Sequence, residues 1–230
     1  MSAPARRSAQ LRPRSVRSDG AHTRGQILQV AGRVFAEKGF ERTTSREICN
    51  TAGTNMAAVN YHFGGKDGLY EAVLVEAHGQ LVKLDDLEAI RQAGGSAQAQ
   101  LRALIGLFVR RASGPALPWG LRVLLHEIMA PSAHVPALLQ RAVLPKMRVM
   151  MAMIAAVLGV ADDHPAAQRA LAFVVLPCVM LVIAPRDVLR HALPALASDA
   201  ELLVDDMTSY ALAGLKAIGR QHREVEPARR

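Results

Sequence analysis

Apolar residues recur at i, i+3, i+4, i+7 and i+8 through Ile27, Val30, Ala31, Val34 and Phe35, which is one face of a helix predicted over 22–38. Gly39 is placed to end it as the left-handed residue past the cap, with Phe40 as the apolar residue after it. Thr44 followed three residues later by Glu47 is a capping box, and it predicts a short helix over 45–51 that ends near Gly53. Asn55 can cap a third helix over 56–63. The few residues between these two helices include a glycine, so the pair reads as a helix-turn-helix. Another helix begins near Lys66 and carries apolar Leu69, Val73 and Leu74.

Beyond residue 80 the pattern is helical throughout, broken by Gly, Pro and Ser. Helices are predicted over 97–112, 117–130, 135–159, 165–184 and 199–219, with most prolines near their boundaries. No strand alternation of useful length appears. The expected fold class is all-α, with a helix-turn-helix module over 21–80 and a larger helical domain over 81–220. Residues 1–20 carry five arginines among Pro and Ser with no apolar periodicity, and are expected to be a disordered basic tail. Residues 221–230 are expected to be a flexible tail.

Charge changes the picture at one end only. The chain has a net charge of +8. Residues 1–70 hold 11 Lys/Arg against 5 Asp/Glu, so they carry +6 of it. A basic excess at the helix-turn-helix end fits contact with a polyanion, although a solvated basic surface would look the same. The two cysteines, Cys49 and Cys178, form no CxxC pair, which argues against a metal knuckle and a disulfide framework and favours buried, inert thiols. The longest apolar run, 170–185, is sixteen residues with Pro177 inside it, short for a bilayer span of about twenty. A cytoplasmic protein without membrane partners is expected.

Gly64-Gly65-Lys66 raises the question of a nucleotide-binding turn. The GxxxxGK[ST] spacing requires Gly at position 60, which is Asn60, and Ser or Thr at position 67, which is Asp67. No hydrophobic strand precedes it, so the nucleotide reading fails. A nucleic-acid reading fares better. Ala57 and Ala58 leave the third helix slim enough to enter a major groove. Asn55 and Asn60 can bond base edges or phosphates, Tyr61 and His62 can donate to phosphate oxygens, and Lys66 opens a helix whose free N–H groups favour an anion.

Together these residues resemble the DNA-binding domain of TetR/AcrR-type transcriptional regulators. The resemblance spans 24–74: Phe35-Ala36-Glu37-Lys38-Gly39-Phe40, Thr43-Thr44, Ile48, Ala52-Gly53, Asn60-Tyr61-His62-Phe63 and Lys66-Asp67-Gly68-Leu69-Tyr70. It implies that Ser45, Arg46, Asn55, Met56, Ala57 and Asn60 approach bases or the groove. It implies that Thr44, Tyr61, His62 and Lys66 meet phosphates. Thr54, where Val is common, and Gly65, where Ser or Asn is common, depart from the pattern. His126 to Ser132, with Leu144-Pro145, resembles a CecR-like (DUF1956-type) C-terminal domain.

The same resemblance makes the larger domain ligand-binding and dimerising. Phe108, Trp119, Met129 and Met150 are candidate pocket walls, with His126 and Glu127 as polar groups, although a methionine-rich stripe (Met147, Met150, Met151, Met153) also suits plain core. Leu203, Met207, Tyr210, Gly214 and Ile218 form an apolar face on the last helix and are the expected dimer contacts. Enzyme readings find little support. His126-Glu127 lacks the second His of HExxH, since position 130 is Ala130, and Asp162-Asp163-His164 reads better as a capping loop than as a metal site. No catalytic residue, metal or cofactor is expected. The reading is a homodimeric regulator, expected to be a repressor, that binds double-stranded DNA at a palindromic operator and answers to a small apolar or amphipathic ligand. The alternatives are an effector-independent DNA-organising protein and, more remotely, a helical enzyme.

Overall fold

A computed structural model describes residues 16–114 and 119–225, and these contain helices and no strand. The first four helices are α1 (Val16–Lys38), α2 (Ser45–Ala52), α3 (Met56–Phe63) and α4 (Lys66–Leu81). They are followed by α5 (Leu84–Gln92), α6 (Ala97–Ser113), α7 (Gly120–Met129), α8 (Val135–Leu138) and α9 (Leu144–Leu158). The chain closes with α10 (Pro165–Ile183), α11 (Arg186–Ala192), α12 (Ala195–Ser198) and α13 (Ala200–Val225).

Helix α1 begins six residues before the sequence expectation, because its first turns are polar and carry no apolar signal. The rest of the expected basic tail, 1–15, lies outside the described residues. The expected helix over 135–159 is broken by a π turn, Leu139–Val143. Its cause is local. Pro145 has no N–H to offer the Arg141 carbonyl, and the ladder slips by one residue, so that the Leu144 N–H reaches the Leu139 carbonyl. Helices α11 and α12 were not expected at all, and α13 runs six residues past its predicted end.

Two apolar clusters hold the fold. One joins α1 to α4 and includes Ile27, Phe35, Ile48, Val59, Leu69, Tyr70 and Leu74; α7, from the second half of the chain, adds Val123 and Leu124. Trp119, immediately before α7, lies in the same cluster and is 2% exposed. Its indole rests on Gly32 of α1, where an added Cβ would lie 2.4 Å from the Trp119 ring. Its Nε1 donates to Gln29 Oε1 at 3.0 Å. The second cluster joins α5, α6, α9, α10 and α13 through Leu87, Leu104, Phe108, Met153, Leu158, Leu171, Cys178 and Val204. Burial pushes the thiol of Cys178 up to about 11 and also raises that of Cys49, which suits inert core residues.

A buried polar knot ties α4 to α7. Tyr70 donates to Glu127 Oε1 at 2.6 Å, while Glu127 Oε2 accepts from the Ser132 N–H and hydroxyl, each at 2.9 Å. Burial, that hydrogen bond and the Glu127 charge hold the Tyr70 hydroxyl above its ordinary range. Tyr70→Phe is expected to cost about 1.5–3 kcal/mol, because it leaves a buried carboxylate oxygen without its donor. A thermal melt unchanged from wild type would show that water replaces the hydroxyl.

Candidate nucleic-acid interface

Both ends of the helix-turn-helix are fixed by side chains that the sequence placed there. Thr44 caps α2, its hydroxyl accepting from the Glu47 N–H at 3.2 Å. Glu47 also pairs with Lys38 at the end of α1. Gly53 closes α2 with φ +62. Asn55 Oδ1 accepts from the Ala58 N–H at 2.9 Å and caps α3. The capped helix exposes Met56, Ala57, Asn60 and Tyr61, while Val59 is fully buried in the first cluster. Cys49 Sγ approaches Met56 Sδ at 3.6 Å and ties α2 to the start of α3.

Ten expected contact residues therefore lie on α2, α3 and their flanks. Thr44, Arg46, Asn55, Met56, Ala57, Asn60 and Tyr61 are exposed, whereas Ser45, His62 and Lys66 are half-buried. Two of them are already engaged, Asn55 in the cap expected of it and Lys66 in a contact that sequence did not show. The Asn55 side-chain oxygen is held by its own helix, so only its amide group is left for an external partner. The Lys66 ammonium sits 4.0 Å over the Phe40 ring. Tyr61, 85% exposed, stands edge-on to His62 with centroids 4.9 Å apart. Arg24 of α1 lies 4.9 Å over the Phe63 ring, beside the end of α3. Sequence reading passed over Arg24, because it lies 39 residues from its partner and no local pattern links them.

The joint between α3 and α4 is tight. Gly64 and Gly65 adopt φ +75 and +117, a region that side chains disfavour. Gly68, in the first turn of α4, faces the end of α3, and a Cβ there would lie 1.9 Å from the Phe63 carbonyl oxygen.

The five expected pocket residues do not meet. Phe108 and Met150 are buried in the second cluster and Trp119 in the first, while His126 and Met129 are exposed on α7. Glu127, the expected polar partner of His126, is bound to Tyr70 and Ser132. Periodicity shows which side of a helix turns inward; it does not show whether core or cavity waits there. His164 caps α10, its Nδ1 accepting from the Ala166 N–H at 3.1 Å. On α13, Tyr210 and Gly214 are exposed, but Leu203, Met207 and Ile218 are half-buried against the chain's own second cluster. The expected dimer face thus lies a quarter-turn from the core line of Val204, Thr208 and Leu215, and only part of it looks outward.

Comparison with known proteins locates the likeness at this end of the chain. Residues 27–73 match the family model described as bacterial regulatory proteins, tetR family. The probable HTH-type transcriptional regulator YttP of Bacillus subtilis is 35% identical over 83 residues, 36% of this chain and 40% of that protein. The HTH-type transcriptional dual regulator CecR of Shigella flexneri is 43% identical over 53 residues, 23% of each chain. The chain thus matches less than half the length of these relatives, and the CecR likeness is too short to establish a CecR-like C-terminal domain. Likeness of fold extends further. A bacterial regulatory protein in the tetR family from Rhodococcus RHA1 superposes over 83% of this chain and 95% of its own, with a TM-score of 0.56 at 24% identity.

Proposed function

On the premise that this chain carries the DNA-binding domain of the tetR family of bacterial regulatory proteins, we propose that it is a cytoplasmic, homodimeric transcriptional repressor of a palindromic operator. The observation that carries the reading is the helix-turn-helix whose outer face gathers Arg46, Asn60 and Tyr61 on capped helices. In this reading α3 enters the major groove, with Met56, Ala57 and Asn60 against the bases. Thr44, Tyr61, His62 and Lys66 meet the phosphates, and Arg24 joins them from α1. Lys66 must leave the Phe40 ring to do so, exchanging a cation–π contact of about 0.5–1 kcal/mol for a phosphate. Residues 21–80 then form the DNA-binding unit and 81–220 the regulatory and dimerising one, with α4 and α7 as the contact between them.

A second copy is the occupant proposed for the open apolar face of the last long helices. Phe173 is 63% exposed and, with Leu176 and Met180, lines one side of α10; Tyr210 of α13 is 82% exposed. Between them lies a groove of about 280 Å³ walled by Phe173, Ala211, Ala213 and Gly214. By length and composition α10 could also cross a membrane, but its other face, with Ala167, Leu171 and Cys178, is packed into the second cluster. Dimerisation sets two copies of α3 at successive major grooves, about 34–36 Å apart. A small apolar or amphipathic ligand favouring another spacing would release the operator.

Anisotropy titration with DNA flanking the gene tests the reading. Lys66→Ala is expected to weaken binding to every sequence and to lower the slope of log K against log salt by about 1. Tyr61→Ala is expected to weaken binding with the slope unchanged, since no charge is lost. Wild-type affinity in both variants would sink the phosphate roles. The scattering of the expected pocket residues favours one second reading, a DNA-organising protein without a small-molecule effector. It predicts that no ligand changes the operator affinity.

A further inference from the structure

Lys146, at the start of α9, is 5% exposed, yet among the described residues no carboxylate lies within ion-pair distance of it. Its Nζ lies 2.7 Å from Nδ1 of His78 on α4, a neutral acceptor. A buried cation without a countercharge is costly, and a fold keeps one more readily where a counterion can be supplied. Lys146 lines a cavity of about 330 Å³ between α4, the start of α5 and the π turn. The volume suits a small organic molecule. Its walls combine apolar Val75, Leu84 and Ala142 with charged Glu76, Lys83, Asp85 and Arg141. Of the acids in the wall, Asp85 is exposed and Glu76 is half-buried, beyond ion-pair distance of Lys146 although its charge acts there; Arg141, in the π turn, is already paired with Glu71 at 2.8 Å. Lys146 is the buried cation of this wall, and among the described residues no ion pair holds it.

We propose that this cavity binds a small monocarboxylate with a short apolar body, whose carboxylate pairs with Lys146 while its body lies on Val75, Leu84 and Ala142. The proposal deepens the ligand response proposed above and rests on it. His78 and Glu76 belong to α4, the helix that begins beside the DNA-facing α3, while Arg141 and Lys146 belong to the π turn and α9. A carboxylate here draws α4 and α9 together, and the pull arrives at the joint that orients α3.

The titration of Lys146 gives the site a pH signature. Burial lowers Lys146 to about 8, partly offset by the charge of Glu76, and burial together with Lys146 lowers His78 to about 4. Near neutrality His78 is therefore neutral and Lys146 mostly charged. Carboxylate binding stabilises the charged amine, so affinity is flat between about pH 5 and 8 and falls about tenfold per unit above 8.

The test is thermal denaturation of the full chain with millimolar hexanoate and benzoate, against hexanamide, benzamide and inorganic phosphate. Hexanoate or benzoate is expected to raise Tm, and the amides and phosphate are not. Lys146→Met removes the charge at similar volume, and Lys146→Gln keeps a donor for His78; either is expected to weaken the carboxylate about 10- to 100-fold. The proposal is overturned if no carboxylate raises Tm, if amides or phosphate act as strongly, or if the shift survives in a folded Lys146 variant. Operator affinity of the ligand-free protein is measured alongside. Intact DNA binding without a carboxylate shift sinks this inference alone, and absent DNA binding sinks the regulator reading beneath it.

Discussion

Replacing Phe173 and Tyr210 together by Glu is expected to give monomers and to weaken operator binding about 100- to 10,000-fold. Both side chains are largely exposed, so neither substitution removes core packing or buries a charge in the isolated chain. In a dimer the new carboxylates would meet their own copies across a twofold axis, since such an interface sets the same patch against itself. Loss of pairing turns the second half-site contact from an intramolecular event into a separate association, which is where the affinity goes. Sedimentation and operator titration read the two effects. A dimer that persists with unchanged affinity would remove the α10–α13 face from consideration. Leu203 and Met207, also expected to be dimer contacts, make poorer probes, because their half-buried packing against the second cluster would confuse lost pairing with lost folding.

Gly68→Ala is expected to destabilise the first cluster by about 3 kcal/mol and to reduce binding to all DNA sequences. The added methyl would sit 1.9 Å from the Phe63 carbonyl oxygen, a backbone atom that no rotamer change can move aside. Relief requires α3 and α4 to part at Gly64 and Gly65. That tilts the helix carrying Asn60 and Tyr61 away from the face it shares with Arg46. A variant with wild-type melting and wild-type affinity would mean that the joint yields without turning α3, and that the orientation of α3 matters less than proposed.

What the chain reveals of itself depends on how local each signal is. Helix α3 was legible to the residue, because Asn55 and Gly64 cap it from immediately outside. Helix α2 was legible to within one residue, ending at Ala52 against an expected 51, because Thr44 and Gly53 flank it in the same way. The start of α1 was hidden because its first turns are polar. Helices α11 and α12, of seven and four residues, are too short for a period of 3.6 to be counted. The π turn was written in Pro145, but its effect appears only when the hydrogen-bond ladder is followed atom by atom. Of the candidate interface, the residue types and the Asn55 cap were readable, and the contacts between distant residues were not. That Lys66 rests on Phe40 and that Arg24 reaches Phe63 are facts of tertiary placement. The cavity around Lys146 was beyond reach for the same reason, since His78 lies 68 residues from its partner.

The indole that rests on Gly32 makes the protein its own optical gauge. Trp119 is the sole tryptophan in the chain, so all indole emission reports one place, the seam between α1 and α7. Sealed from water and bonded to Gln29, it will emit at the blue end of the indole range. Any event that lifts α7 from α1 will redden and dim that emission within the time of mixing. Any ligand-driven shift that reaches the α1–α7 seam can thus be timed in the unlabelled protein, with no dye to disturb it.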